Sequence, residues 1–252
     1  FGFDAPAEYM PDYGREVARV AGNAALLLTL NLPESDREPL LVYFVQRGID
    51  LFGIISAGHP GWHPHGGHGS GRKLPILFAG TLLGESRMLA PSANFGEDMH
   101  TMIAAGPPYG PGWAGDTALF TGHMGLIGES VKIGWGPYEH LQPRDWRAST
   151  GEEYRRCCTS VAWVGQALAA KLVGAQAAWN HPAFFSYVNR WMNEDDSQDI
   201  AAIRTQTGND YSASWMRHGQ SWDVFVDNMW RTYSNQSVAI PLAAPTNLRV
   251  IN

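Results

Sequence analysis

The chain has 252 residues, of which 44% are hydrophobic, so it can bury a sizeable core, and the composition excludes a disordered protein. Its net charge of −6 argues against a general nucleic-acid or anionic-membrane binder, because both need a broad basic surface. No continuous apolar run approaches the roughly 20 residues of a membrane span. We therefore expect a globular protein with no nucleic-acid partner, no membrane partner and only local affinity for anions.

Apolar residues recur at three- and four-residue steps in the first part of the chain, which predicts two antiparallel helices joined by a short turn. The first helix is predicted from Tyr13 to Thr29. In the second, Ser35 and Glu38 form a candidate capping box ahead of an apolar face that reaches Ile55. A third helix is predicted to begin near Leu74 and to end near residue 89.

The segment between the second and third helices, GHPGWHPHGGHGSGRK at 58–73, carries the most distinctive chemistry of the chain. We call residues 58–73 the histidine loop. Its glycines and prolines let the backbone turn sharply and approach a ligand, while imidazoles, an indole and two cations supply acid/base, stacking and anion-binding groups. This composition predicts a functional site built on a loop.

The second half of the chain alternates helical patterns with polar connections. Residues 90–116 predict a long functional or mobile loop, residues 117–141 are ambiguous, and the residues before Trp222 read as an acidic, polar loop. The predicted helices are Glu152 to Leu172, Asn180 to Met192 and Trp222 to Tyr233. The adjacent Cys157 and Cys158 fall inside the first of these, where neighbouring side chains point apart, so we expect no disulfide between them.

Helices joined by alternating short and long connections predict an all-α fold of antiparallel helical hairpins, toroid-like or a partial (α/α) toroid. We expect residues 1–236 to form this domain and residues 237–252 to be a linker with the start of a strand. If residues 117–141 hold one helix, the histidine loop faces Tyr154, Arg155 and Arg156, and the 90–116 loop lies on the opposite rim unless it folds back.

Three blocks carry a resemblance to a known group of proteins: GGHGSGRKLPILFAG at 66–80, YRRCCTSVAWVGQALAAKLVGA at 154–175 and WNHPAFFSYVNRWM at 179–192. Together they resemble the helical domains of secreted bacterial polysaccharide-degrading proteins, notably (α/α)-toroid polysaccharide lyases. The ending PLAAPTNLRVIN is similar to the opening strand of a fibronectin type III module. The resemblance implies a secreted, cell-surface or periplasmic protein that acts on an acidic polysaccharide, and other segments of a larger chain are the further partners that we expect.

Lyase chemistry on a uronic acid needs a cation, a base and an acid, because a proton is taken from the carbon beside the carboxylate and a sugar oxygen leaves. We expect His65 or His68 to be the base and Tyr154 the acid. The expected substrate-binding residues are Trp62, His63, Arg72, Lys73, Arg155, Arg156 and Trp163. Each has an ordinary structural alternative: core packing for Tyr154 and Trp163, and local salt bridges for Arg155 and Arg156. Arg72 and Lys73 can be solvated charges at a helix start, although cations there oppose the helix dipole, so a bound anion or a local carboxylate would help to explain them.

Three alternative functions stay open at this point. A divalent metal can be held by His63, His65 and His68, with Asp98 or water as a fourth ligand, although the spacing matches no strong zinc pattern. A glycoside hydrolase would use two carboxylates, for which no pair stands out. A non-catalytic carbohydrate-binding domain would hold a glycan on its aromatic loops without cutting it.

Overall fold

The computed structural model describes residues 13–64, 67–122, 126–127, 130–131, 137–146 and 151–236, and it is mostly helical, as predicted. The predicted strand and module at 237–252 lie outside the described residues. The helices are α1 (Gly14–Leu28), α2 (Glu34–Ser56), α3 (Lys73–Leu83), α4 (Ser86–Leu89), α5 (Gly96–Met99), α6 (Glu152–Tyr154), α7 (Ser160–Leu172), α8 (Gln176–Trp179), α9 (Pro182–Asn193), α10 (Ser197–Thr207) and α11 (Val224–Tyr233).

Helix α7 lies at the centre of the core, with nearly all of its residues buried, and α1 packs closely against it. Gly22 of α1 and Gly165 of α7 make this approach possible. A Cβ atom on Gly22 would lie 2.9 Å from the backbone nitrogen of Gln166, closer than real Cβ atoms come. The amphipathic helices α9 and α11 bury their apolar faces against α7 from other sides.

Helix α2 packs against α3, where Gly48 faces the backbone of Pro75. Helix α2 is long and apolar enough to cross a membrane, and the core helices of proteins outside membranes can have the same length and hydropathy. In the most apolar 18-residue stretch of α2, 33% of the stretch is buried. The predicted capping box is wrong, because α2 begins at Glu34 and the Ser35 hydroxyl donates to Asp36. The predicted third helix is divided at Gly84, whose left-handed φ of 67° ends α3.

Three short strand pairs lie in the middle of the chain. β1 (Gly61–Trp62) pairs in parallel with β2 (Asn94–Phe95). β3 (Thr101–Ile103) pairs antiparallel with β4 (Ala118–Phe120), and β5 (Leu126–Ile127) pairs antiparallel with β6 (Ser130–Val131). Pairing of β1 with β2 brings part of the predicted 90–116 loop back onto the histidine loop. No helix occurs in the described residues of 117–141. The segment predicted to be an acidic loop contains helix α10. Ile200 and Ile203, three positions apart, are its buried residues and give this helix its apolar contact with the rest of the protein.

The predicted Glu152–Leu172 helix is one helical segment with a π-type turn at Arg155–Thr159 between α6 and α7. Within this turn Cys157 and Cys158 form a disulfide, so the prediction of no disulfide is wrong. The prediction assumed regular α-helical directions for neighbouring side chains, whereas the cysteines lie in a wider turn. Gly174 follows α7 with a φ of 76°, a left-handed conformation that favours glycine after a helix end.

Candidate functional site

The histidine loop lies against the start of α1 and the π-type turn. Gly14 touches its backbone, since a Cβ atom there would lie 2.1 Å from the carbonyl oxygen of Gly67. On the other side of the loop, a Cβ atom on Gly67 would lie 3.0 Å from the Thr159 side chain. The histidine loop therefore contacts the predicted helical segment at Thr159, although the described residues of 117–141 do not contain the helix that the prediction assumed.

Tyr13 interacts with both described residues that are predicted to be catalytic: its ring contacts His68, and its hydroxyl group interacts electrostatically with Tyr154. The ring of His68 packs edge-on against the ring of Tyr13, with centroids 4.7 Å apart. Burial, and then the charge of the nearby Tyr154 phenol, raises the pKa of Tyr13. Tyr154 itself is 50% exposed, and the Arg15 guanidinium carbon lies 5.7 Å from the Tyr13 ring. We call Tyr13, His68 and Tyr154 the candidate catalytic rim; His65 lies outside the described residues.

Arg72 and Lys73 are buried and bonded within the protein. Arg72 is fully buried, and its Nη1 donates to the carbonyl of His68 at 3.1 Å and to that of Ser70. The Lys73 ammonium donates to the Asp98 carboxylate and, at 2.6 Å, to the Trp179 carbonyl. The alternative of a solvated charge at the start of α3 is therefore wrong for Lys73, and the local carboxylate of Asp98 accounts for this cation.

The indoles predicted to stack on sugars face the interior. Trp62 is buried and stacks on Phe95, while Trp163 is fully buried and donates through Nε1 to the Ser70 hydroxyl at 3.1 Å. Core packing is therefore the role that the structure gives Trp163. His63 is half-buried, and His65 lies outside the described residues, so the predicted metal triad of His63, His65 and His68 stays a prediction.

Arg155 and Arg156 belong to a buried ion-pair network centred on Glu152. Arg155 Nη1 lies 2.8 Å from the Glu139 carboxylate, and its Nε donates to the Tyr187 hydroxyl at 2.7 Å. Arg156 donates to Glu152 at 2.7 Å and to Asp196 at 2.5 Å. Burial opposes the charge on Glu152, but the two arginines outweigh it and lower its pKa.

A cluster of carboxylates borders this network. Oxygen atoms of Asp116, Glu194 and Asp199 lie within 4.8 Å of one another, an arrangement that could hold a cation. Arg190 already contacts two of them, Asp116 at 2.8 Å and Glu194 at 3.0 Å. The fixed guanidinium supplies the neutralising charge, so a cation would have to compete with it.

His218 is a buried titratable residue that the sequence did not single out. Its side chain is 1% exposed, and burial followed by the nearby arginine charges lowers its pKa well below the usual range. The Nη2 atom of Arg155 lies 3.3 Å from His218 Nε2. Because a guanidinium can only donate hydrogen bonds, Nε2 is the acceptor, and the neutral ring carries its proton on Nδ1. That atom lies 3.7 Å from the Glu194 carboxylate.

Comparison with protein-family models, curated proteins and solved structures finds no match for this chain.

Proposed function

We propose that this protein binds an acidic, uronate-containing polysaccharide at the candidate catalytic rim and cleaves it by β-elimination. Two observations support it: the ring of His68, selected from the sequence as a base, packs against Tyr13, and Tyr154, selected as the acid, acts electrostatically on the same Tyr13 side chain. We also propose a toroid-like or partial toroid arrangement of the helices, and a secreted or cell-surface protein, as the sequence resemblance implies.

In the proposed reaction, the His68 imidazole takes the proton from the sugar carbon beside the carboxylate. The electron pair of that bond forms a carbon–carbon double bond while the bond to the linked sugar oxygen breaks. Tyr154 gives its phenolic proton to the leaving oxygen. Arg15, beside Tyr13, stabilises the charge that spreads onto the substrate carboxylate, because Arg72, Lys73, Arg155 and Arg156 are engaged inside the protein.

A non-catalytic glycan-binding domain is the second candidate function. It is favoured by the burial of the four cations first expected to contact substrate, because a binding module needs no transition-state stabilisation. The two functions differ in whether product forms, since both predict retention of an acidic glycan.

The variants His68→Ala and Tyr154→Phe test the proposal, with Tyr43→Phe as the control because Tyr43 is 76% exposed on α2. Loss of the base or the acid should lower the rate of unsaturated product formation by about a hundredfold or more, and the control should react at the wild-type rate. Wild-type rates in both rim variants would contradict the assignment. Reducing ends without ultraviolet-absorbing product would instead identify a hydrolase.

A further inference from the structure

Two indoles lie near the candidate catalytic rim, both on the chain segment that precedes α11. Trp215 is 44% exposed, its ring packs edge-on against that of Trp222 at 5.8 Å, and Trp222 Nε1 donates to the Trp215 carbonyl at 2.5 Å. The Arg15 guanidinium carbon lies 5.0 Å from the Trp222 ring and 5.7 Å from the Tyr13 ring. Arg15 thus connects the indole pair to the rim.

From this geometry we infer that Trp215, Trp222 and Arg15 form a subsite for one acidic residue of an extended glycan. The exposed indole offers an apolar face to the C–H groups of a sugar ring, while the guanidinium offers a bidentate partner to its carboxylate. Arg15 and Arg19 both form ion pairs with Glu16, so these three side chains carry a net charge of one positive unit. The ligand class rests on the proposed function.

The backbone at Trp222 is held in a costly conformation. Its φ of 66° is left-handed, which is a true outlier for a bulky residue. The chain is fixed on both sides, because Ser221 donates its backbone N–H to Asp227 at 2.8 Å and the Asp223 carboxylate accepts from Asn23 at 2.6 Å. Strain of this kind persists where a side chain must be held in one position, as a ligand-binding indole must.

A crevice of about 10 Å³, with room for one water-sized group, lies between α1, α7 and α11 and is lined in part by Arg19, Asn23 and the two chain neighbours of Trp222, Ser221 and Asp223. Arg19 Nε and Asn23 Oδ1 are buried without a hydrogen-bond partner in the described structure. One is a donor and the other an acceptor, so a single sugar hydroxyl group can bond to both. The crevice can therefore admit one hydroxyl group of a bound sugar.

Affinity electrophoresis in gels containing polygalacturonate, alginate or hyaluronan, with neutral xyloglucan for comparison, tests the subsite. Wild-type protein should be retarded by at least one acidic polymer, and Trp215→Ala and Arg15→Gln should each bind about tenfold more weakly. Tyr43→Ala, an exposed aromatic change on α2, should bind as wild type. Thermal unfolding of each variant separates lost binding from lost folding.

No retardation of the wild type, or wild-type retardation of both subsite variants, would overturn the inference. The experiments can contradict the subsite and the proposed β-elimination separately. Retardation that depends on Trp215 without any unsaturated product would overturn elimination and leave the subsite. Product formation with unchanged KM in Trp215→Ala would overturn the subsite and leave elimination.

Discussion

The ring of His68 rests edge-on against the ring of Tyr13, 4.7 Å between centroids, at the point where the histidine loop meets the start of α1. This contact places a candidate base on a packed surface, because the preceding Gly67 is itself held between Gly14 and Thr159. The position of the imidazole therefore depends on the close backbone approach at Gly14 as well as on the loop's own sequence.

Gly14→Ala should displace the histidine loop. The new Cβ atom would lie 2.1 Å from the carbonyl oxygen of Gly67 and 2.4 Å from that of His68. Because both oxygens belong to the backbone, the clash can be relieved only if the backbone of the loop or of α1 shifts. We expect about 1–3 kcal/mol of lost stability together with a loss of product formation in the folded protein. Denaturant unfolding and rates measured well below the unfolding midpoint check both effects, and an unchanged rate would show that His68 is not held from this side.

Gly22→Ala is the matched change at the α1–α7 contact. Its Cβ atom would lie 2.9 Å from the Gln166 backbone, which should lower the free energy of unfolding by about 1–3 kcal/mol and leave the rate of the folded protein unchanged. Gly53→Ala in α2 meets nothing within 4 Å and should raise stability by up to about 1 kcal/mol through helix propensity. Equal unfolding midpoints for the two variants would contradict the packing account.

The ion-pair network should make the fold sensitive to acid. The pKa of Glu152 is lower in the folded protein than its ordinary 4.5, so its contribution to stability is present above that pH and is lost as pH falls towards the folded value. Glu152→Gln should cost about 3–5 kcal/mol at neutral pH, because Arg155 and Arg156 lose a buried partner. The exposed neighbour Glu153→Gln should change stability by less than about 0.5 kcal/mol.

Glu97 should show the opposite pH dependence. Burial raises its pKa, so stability from this group is greatest below the ordinary value and falls as pH rises and the carboxyl ionises. Its Oε1 accepts from Gly71 at 2.6 Å and from Gln166 at 3.0 Å, bonds that a glutamine oxygen can also accept. Glu97→Gln should therefore equal or exceed wild-type stability at about pH 8 and lose that advantage near about pH 4. A loss as large as that of Glu152→Gln would contradict this expectation.

Apolar periodicity predicted the helices well because α1, α2 and the segment around α7 bury continuous faces. It missed α10, where Ile200 and Ile203 are the buried apolar positions in a polar segment. The candidate site was harder to predict. Glycine contacts between distant segments and the choice of ion-pair partners are set by tertiary packing, so cations such as Arg72 looked accessible in sequence and are buried in the fold.

The indole pair and Arg15 were also missed, since they are separated by about two hundred positions and meet only in the folded chain. The sequence signal that could have found them is the polar setting of Trp215 and Trp222, two tryptophans among serines, glycines and charged residues. Large indoles in such a segment are typical of a binding surface.

The most direct measurement is the ultraviolet absorbance of the unsaturated uronate product while the protein is incubated with polygalacturonate, alginate and hyaluronan in turn. The account predicts that absorbance rises with at least one polymer, in proportion to enzyme concentration and in parallel with new reducing ends. Reducing ends without that absorbance, or no change with any of these polymers, would contradict cleavage by β-elimination.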